Sequence, residues 1–172
     1  MAQPHPQVFD IQITDDGSWY HEGGLIRRPA LVKLFASVLQ RADDGSFWLV
    51  TPVERGTITV ADAPFIVVAM TVDGAGPGQV IRFWTNVEDE IVLSAANPLQ
   101  MRAPLTGSLA MARDGGGDSG GDKIAVPYLI VRSGLEAKVS RPVYYELAAL
   151  AVSGDDGVFG VWSSGAFFRL EA

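Results

Sequence analysis

The chain has 172 residues, 48% of them hydrophobic, with no cysteine and with 20 acidic against 13 basic side chains, for a net charge of −7. A chain of that length buries roughly 70% of its unfolded surface without disulfide staples, and a mean hydropathy of +0.19 fits a packed globule. The acidic balance repels phosphate backbones and anionic lipid, which disfavours nucleic-acid and membrane binding, and the missing thiol excludes cysteine nucleophiles and cysteine-held zinc.

The opening MAQPHPQVFD lacks the basic and apolar regions of a signal peptide. The longest apolar run, Ala63 to Met70, falls far short of the roughly 20 residues of a membrane span. Together with the absence of cysteine, this leads us to expect a cytoplasmic protein. Val8 to Ile13 alternates apolar and polar and reads as a strand, and Asp15-Asp16-Gly17 supplies turn chemistry before Trp19 and Tyr20 resume an extended segment. Pro29 suits the first turn of a helix. Leu31, Leu34, Phe35, Val38 and Leu39 then recur at helical spacing, with Lys33, Gln40 and Arg41 on the other face. Asp43-Asp44-Gly45 is expected to close that helix, with Arg41 favouring its C-terminal dipole. Phe47 to Thr51 and Thr57 to Val60 form a hairpin.

Three strands follow, at Phe65 to Val72, Gln79 to Thr85 and Glu90 to Leu93. The glycine-rich run Asp73 to Gly78 between the first two is a hairpin loop, because a strand follows it where a dinucleotide loop needs a helix. Arg113 to Lys123, RDGGGDSGGDK, is a low-complexity segment flexible by composition. Tyr128 to Arg132 and Leu135 to Val139 are extended around Gly134. Arg141-Pro142 opens a second helix with apolar positions Val143, Leu147, Leu150 and Ala151, and Asp155-Asp156-Gly157 is expected to end it. Strands at Val158 to Trp162 and Ala166 to Leu170 close the chain.

The two ends thus carry the same anchors in the same order: extended segment, Gly-Leu, Arg-Pro, helix, Asp-Asp-Gly, Phe, strand, turn, strand. Fixed-order self-similarity predicts an internal ββαββ repeat. The expected fold is α+β, with two subdomains built on that repeat and antiparallel strands between the copies; residues 1–62 form the first and 63–172 the second. The thrice-written Asp-Asp-Gly is turn chemistry, since carboxylate cages for metal need several ligands at fixed spacing and none is present. No metal and no cofactor is expected.

The segments WYHEGGLIRRPALVKLFASVL, LVTPVERG, DAPF, PYLIVRSGLEA and VYYELAALA occur in order over nearly the whole chain. In this the chain resembles an uncharacterised bacterial family, domain of unknown function 1285. The insert at 113–123 does not match the family pattern. The resemblance implies an α+β fold of two subdomains with repeated motifs, a nucleotide-like ligand between them and a signalling context.

Candidate site residues group in three places. Trp19, Tyr20, His21, Glu22, Arg27 and Arg28 offer aromatic faces, an imidazole, a carboxylate and two guanidinia, a set that suits a planar anion. The alternative is that Trp19 and Tyr20 pack in the core while Arg28 bonds a helix or pairs with Glu22. Glu54, Arg55, Arg132 and Glu136 line a cleft with Tyr128 and Tyr144, or else form salt bridges between subdomains. His21 stands apart from the tail residue His5, and one histidine cannot build a His-rich zinc site. No nucleophile elbow, Walker loop, kinase set or hydride-transfer fingerprint occurs, which points away from catalysis. Two functions follow: a small-ligand-binding protein holding a nucleotide-like anion, with a possible signalling role, or a protein-interaction module presenting edge strands to a partner chain.

Overall fold

A computed structural model describes residues 7–105 and 124–171, so the glycine-rich Arg113–Lys123 segment and His5 lie outside the described residues. Strands β1 (Gln7–Ile13), β2 (Trp19–His21) and β3 (Gly24–Leu25) form an antiparallel meander, followed by helix α1 (Pro29–Ser37). A second meander follows: β4 (Leu39–Arg41), β5 (Phe47–Val50) and β6 (Arg55–Val60). Strand β6 returns parallel to β1, with Gln7 opposite Gly56 and Ile13 opposite Val60, so the order is β3-β2-β1-β6-β5-β4.

The next six strands repeat that plan. They are β7 (Phe65–Asp73), β8 (Val80–Thr85), β9 (Glu90–Val92), β10 (Leu99–Arg102), β11 (Val126–Arg132) and β12 (Leu135–Val139). Two meanders are again joined by a parallel pair, β12 beside β7, in the order β10-β11-β12-β7-β8-β9. Helix α2 (Arg141–Ala149) follows, then β13 (Val152–Ser153), β14 (Phe159–Ser163) and β15 (Ala166–Arg169) as a separate three-stranded sheet. The fold is therefore mixed α and β, mostly sheet, with two similar six-stranded sheets. Strand β10 has no counterpart in the sequence reading. The helix-anchored ends carry like elements, but they finish differently: β4–β6 completes a six-stranded sheet while β13–β15 stands alone.

All three Asp-Asp-Gly copies are hairpin turns; neither of the later two ends a helix, contrary to the sequence expectation. The Gly17, Gly45 and Gly157 amides donate to Thr14, Ala42 and Gly154 carbonyls, at 3.0, 2.9 and 3.0 Å. Each second aspartate accepts the amide two residues on: Asp16 from Ser18, Asp44 from Ser46, Asp156 from Val158, at 3.0, 2.9 and 3.1 Å. The glycines have φ of 84°, 88° and 80°, the left-handed conformation that follows a type I turn in a three-residue hairpin loop.

Helix α1 is shorter than its sequence suggests because Leu39, Gln40 and Arg41 pair with Leu49, Trp48 and Phe47. Its inward face is Val32, Phe35 and Ala36, while Leu34 is 59% exposed. The apolar positions fit two overlapping helical faces, and the sheet beneath selects one. Arg41 consequently leaves the helix; the end of α1 is met from the second sheet instead, where Arg132 Nη2 donates to the Ala36 carbonyl at 2.6 Å. Inward residues of both large sheets, including Ile13, Leu49, Phe65 and Phe83, share one core with Val143 and Leu147 of α2.

Candidate functional site

The short linker from β6 to β7 carries one charged residue, Asp62, whose side chain is fully buried. An isolated carboxylate cannot be buried at that depth, so donors must gather around it. All of them come from the second sheet or its margin. Arg102 Nη1 on β10 donates to Oδ1 at 2.9 Å, the Tyr128 hydroxyl on β11 to Oδ2 at 2.5 Å, and the Leu105 amide to Oδ1 at 3.2 Å. Lys138 on β12 stands 3.9 Å from Oδ2. The linker is thereby pinned to three adjacent strands.

Arg102 is shared. Its Nε and Nη2 donate to the two carboxylate oxygens of Glu136 at 3.1 and 3.3 Å, a bidentate fork, and its guanidinium lies 3.5 Å from the Tyr128 ring centroid. Burial works against the Arg102 charge, but its hydrogen bonds to Glu136 and Asp62 outweigh it and hold the guanidinium more firmly protonated than usual. Burial, reinforced by the hydrogen bond to Asp62, pushes the Tyr128 phenol well above its ordinary value, so it acts as a hydroxyl donor.

Arg41 approaches this cluster from the first sheet. Its Nη1 donates to the Gly134 carbonyl at 2.9 Å and lies 3.5 Å from Glu136 Oε1, while its guanidinium sits 5.1 Å from the Phe47 ring centroid. Between the two sheets, beside Arg41, Phe47, Asp62, Arg102 and Glu136, opens a cavity of about 520 Å³. Two guanidinium groups, Arg41 and Arg102, and two carboxylates, Asp62 and Glu136, line it, so its formal charges balance on an otherwise acidic chain.

Of the residues named from sequence, Tyr128 and Glu136 belong to this cluster. The others are dispersed. Trp19 is buried in the core, stacked on Phe35 with centroids 6.2 Å apart. Tyr20 is half-buried beside it on β2, and His21 and Glu22 form the exposed tip of the β2–β3 hairpin, 3.9 Å apart. Arg27 lines a separate groove with Lys33 and Glu88, and Arg28 stands exposed at the N-terminal boundary of α1. Glu54 lies in the β5–β6 turn, and Arg55 stacks over Trp48 at 4.6 Å. Arg132 holds the end of α1, and Tyr144 lines another cavity near the start of α2.

Sequence reading missed Asp62, Arg102, Arg41 and Lys138 as a set. The available signal was Asp62 itself, a lone acid inside the apolar stretch Val60 to Val68. Among the described residues no three histidine, aspartate or glutamate side chains gather to hold a metal ion, and no helix is long and apolar enough to cross a membrane.

Comparison with known proteins identifies relatives of the chain as a whole. The family described as "Domain of unknown function (DUF1285), N-terminal domain" matches residues 3–63, and "Protein of unknown function (DUF1285), C-terminal domain" matches 64–112 and 117–170. No curated protein matches the chain. A crystal structure of a DUF1285 family protein from Silicibacter pomeroyi DSS-3 is similar at 39% identity with a TM-score of 0.83, over 99% of this chain and 84% of that one. Another, from Shewanella baltica OS155, is similar at 26% identity with a TM-score of 0.56, over 83% of this chain and 92% of that one.

Proposed function

The chain belongs to the DUF1285 family, and from that premise and the cleft geometry we propose that it binds a small nucleotide-like anion between its two six-stranded sheets. The observation that carries this reading is Arg41. It borders the cavity beside the Phe47 ring, commits Nη1 alone to hydrogen bonding, and leaves Nε and Nη2 without a partner among the described residues. A guanidinium and an aromatic face suit a planar anion. This is the chemistry expected from Trp19 to Arg28, moved to a different pair. A volume of about 520 Å³ falls within the range of small-molecule sites.

In this proposal residues 1–62 and 63–172 act as two subdomains, derived from a ββαββ repeat, and the ligand bridges them. Bridging alters how the two sheets meet, which gives occupancy a signalling use in the cytoplasm.

The test is thermal unfolding with a panel of adenine and guanine nucleotides, with inorganic phosphate alongside. A nucleotide at a hundred times its dissociation constant adds about 2.7 kcal/mol, a rise of roughly 5–10 °C for a chain of this length. Arg41→Gln should remove the rise. Silence across the panel, or an unchanged rise in the variant, overturns the reading. The rival function, a protein-interaction module, draws on the exposed Leu31 and Leu34 of α1, at 37% and 59%. It predicts silence with nucleotides and loss of a partner on Leu34→Glu.

A further inference from the structure

A second cavity, of about 410 Å³, lies between the β1–β2 hairpin tip and the start of α2. One wall carries Asp15 and Asp16, the other Lys138 and Arg141, with Ile66 and Val139 among the apolar residues between them. We propose that this cavity binds a small zwitterion of the amino-acid class, its ammonium toward the aspartates, its carboxylate toward Lys138 and Arg141, and an apolar side chain against the floor.

Opposite charges that share a cleft ordinarily close on one another. Here, among the described residues, no ion pair within 4.0 Å joins either aspartate to either cation. Among the described residues Asp16 spends Oδ1 on the Thr14 hydroxyl and the Ser18 amide, leaving Oδ2 for a donor, and the exposed Asp15 has no side-chain partner. Among the described residues Lys138 has only the Asp62 carboxylate within ion-pair distance, at 3.9 Å, and Asp62 is already held by Arg102 and Tyr128. Arg141 is exposed and makes no salt bridge among the described residues. A plain anion would meet the aspartate wall and a plain cation the basic wall; a molecule bearing both charges satisfies each. The apolar floor adds a preference for a hydrophobic side chain.

The site is independent of the nucleotide proposal, because its lining and that of the larger cavity have no residue in common. The experiment screens the standard L-amino acids against the full chain by ligand-observed NMR, then titrates the best binder with its N-acetyl and carboxamide analogues. At least one apolar amino acid should bind, and each blocked analogue should bind about tenfold more weakly or worse, the loss of one charged hydrogen bond. Asp15→Asn with Asp16→Asn should weaken the free amino acid but not its N-acetyl form. Arg141→Gln should do the same relative to the carboxamide. Circular-dichroism melts identify variants that remain folded, and Arg41→Gln should leave this binding unchanged. Silence from every amino acid, or blocked analogues that bind as well as the free one, overturns the proposal.

Discussion

Removing the carboxylate of Asp62 should destabilise the protein more than removing any exposed charge. Asp62→Ala takes the acceptor from Arg102, Tyr128 and the Leu105 amide together. The Arg102 guanidinium is not stranded, since its fork to Glu136 survives. The lost charged hydrogen bond is worth about 1.5–3 kcal/mol, and the Tyr128 hydroxyl, on a fully buried residue, is left unsatisfied at about 1–3 kcal/mol more. The expected cost is about 3–5 kcal/mol, in the range for breaking a buried pair. With a urea slope of about 2 kcal/mol per molar, the midpoint should fall by roughly 2 M. Tryptophan fluorescence reads this, and circular dichroism should give a coincident transition if the two sheets unfold as one. A double-mutant cycle sharpens the test. Tyr128→Phe alone should cost about 1 kcal/mol, but in the Asp62→Ala background it should cost nothing or stabilise, because it removes the stranded hydroxyl. Arg82→Gln serves as the exposed control, since Arg82 pairs with Asp73 and Glu90 at the surface and should cost under about 1 kcal/mol. If Asp62→Ala costs no more than that control, or if the two losses simply add, the pinned-linker reasoning is wrong.

Two further outcomes follow from the turns. Gly17 and Gly157 share a positive φ, but a Cβ at Gly17 would lie 2.6 Å from Ile66 Cγ1 while one at Gly157 meets open space. Gly157→Ala should therefore cost about 1 kcal/mol from backbone strain, and Gly17→Ala about 1–3 kcal/mol more from overpacking; equal denaturant midpoints for the two would contradict the packing account. Hydrogen bonds from the Thr14 hydroxyl and Ser18 hold the Asp16 carboxyl below the usual carboxylate range, and the Ser46 hydroxyl and amide do the same for Asp44. With folded values depressed, their contribution is present above the unfolded value near pH 4 and fades as pH falls through the folded one. The stability gap between wild type and Asp16→Asn should thus be constant at neutral pH and shrink on acidification, and a gap that widened would reverse the assigned sign.

The sequence by itself determined the local vocabulary of this protein. Pro29 and Arg141-Pro142 mark where helices begin, because a fixed φ and a missing amide proton cost nothing in a first turn. Asp-Asp-Gly specifies a reversal wherever it is written, because the aspartate side chain and the glycine φ act within five residues. Alternation in Val8 to Ile13 likewise shows which side of a strand is buried, as the buried Ile11 and Ile13 and the exposed Asp10 and Gln12 confirm. Tertiary structure decided what those pieces join. Leu39 to Arg41 continues the helical pattern on paper, yet it pairs with Phe47 to Leu49, because strand hydrogen bonds and a buried Leu39 outweigh a few tenths of a kcal/mol of helix propensity per residue. The candidate cluster is more remote still. Asp62, Arg102, Tyr128 and Glu136 are separated by up to 74 positions in the chain, and no periodicity links them. They meet because β10, β11 and β12 lie side by side and the β6–β7 linker crosses them. What makes the meeting matter is burial: a carboxylate removed from water requires partners nearby, and only the folded chain supplies them.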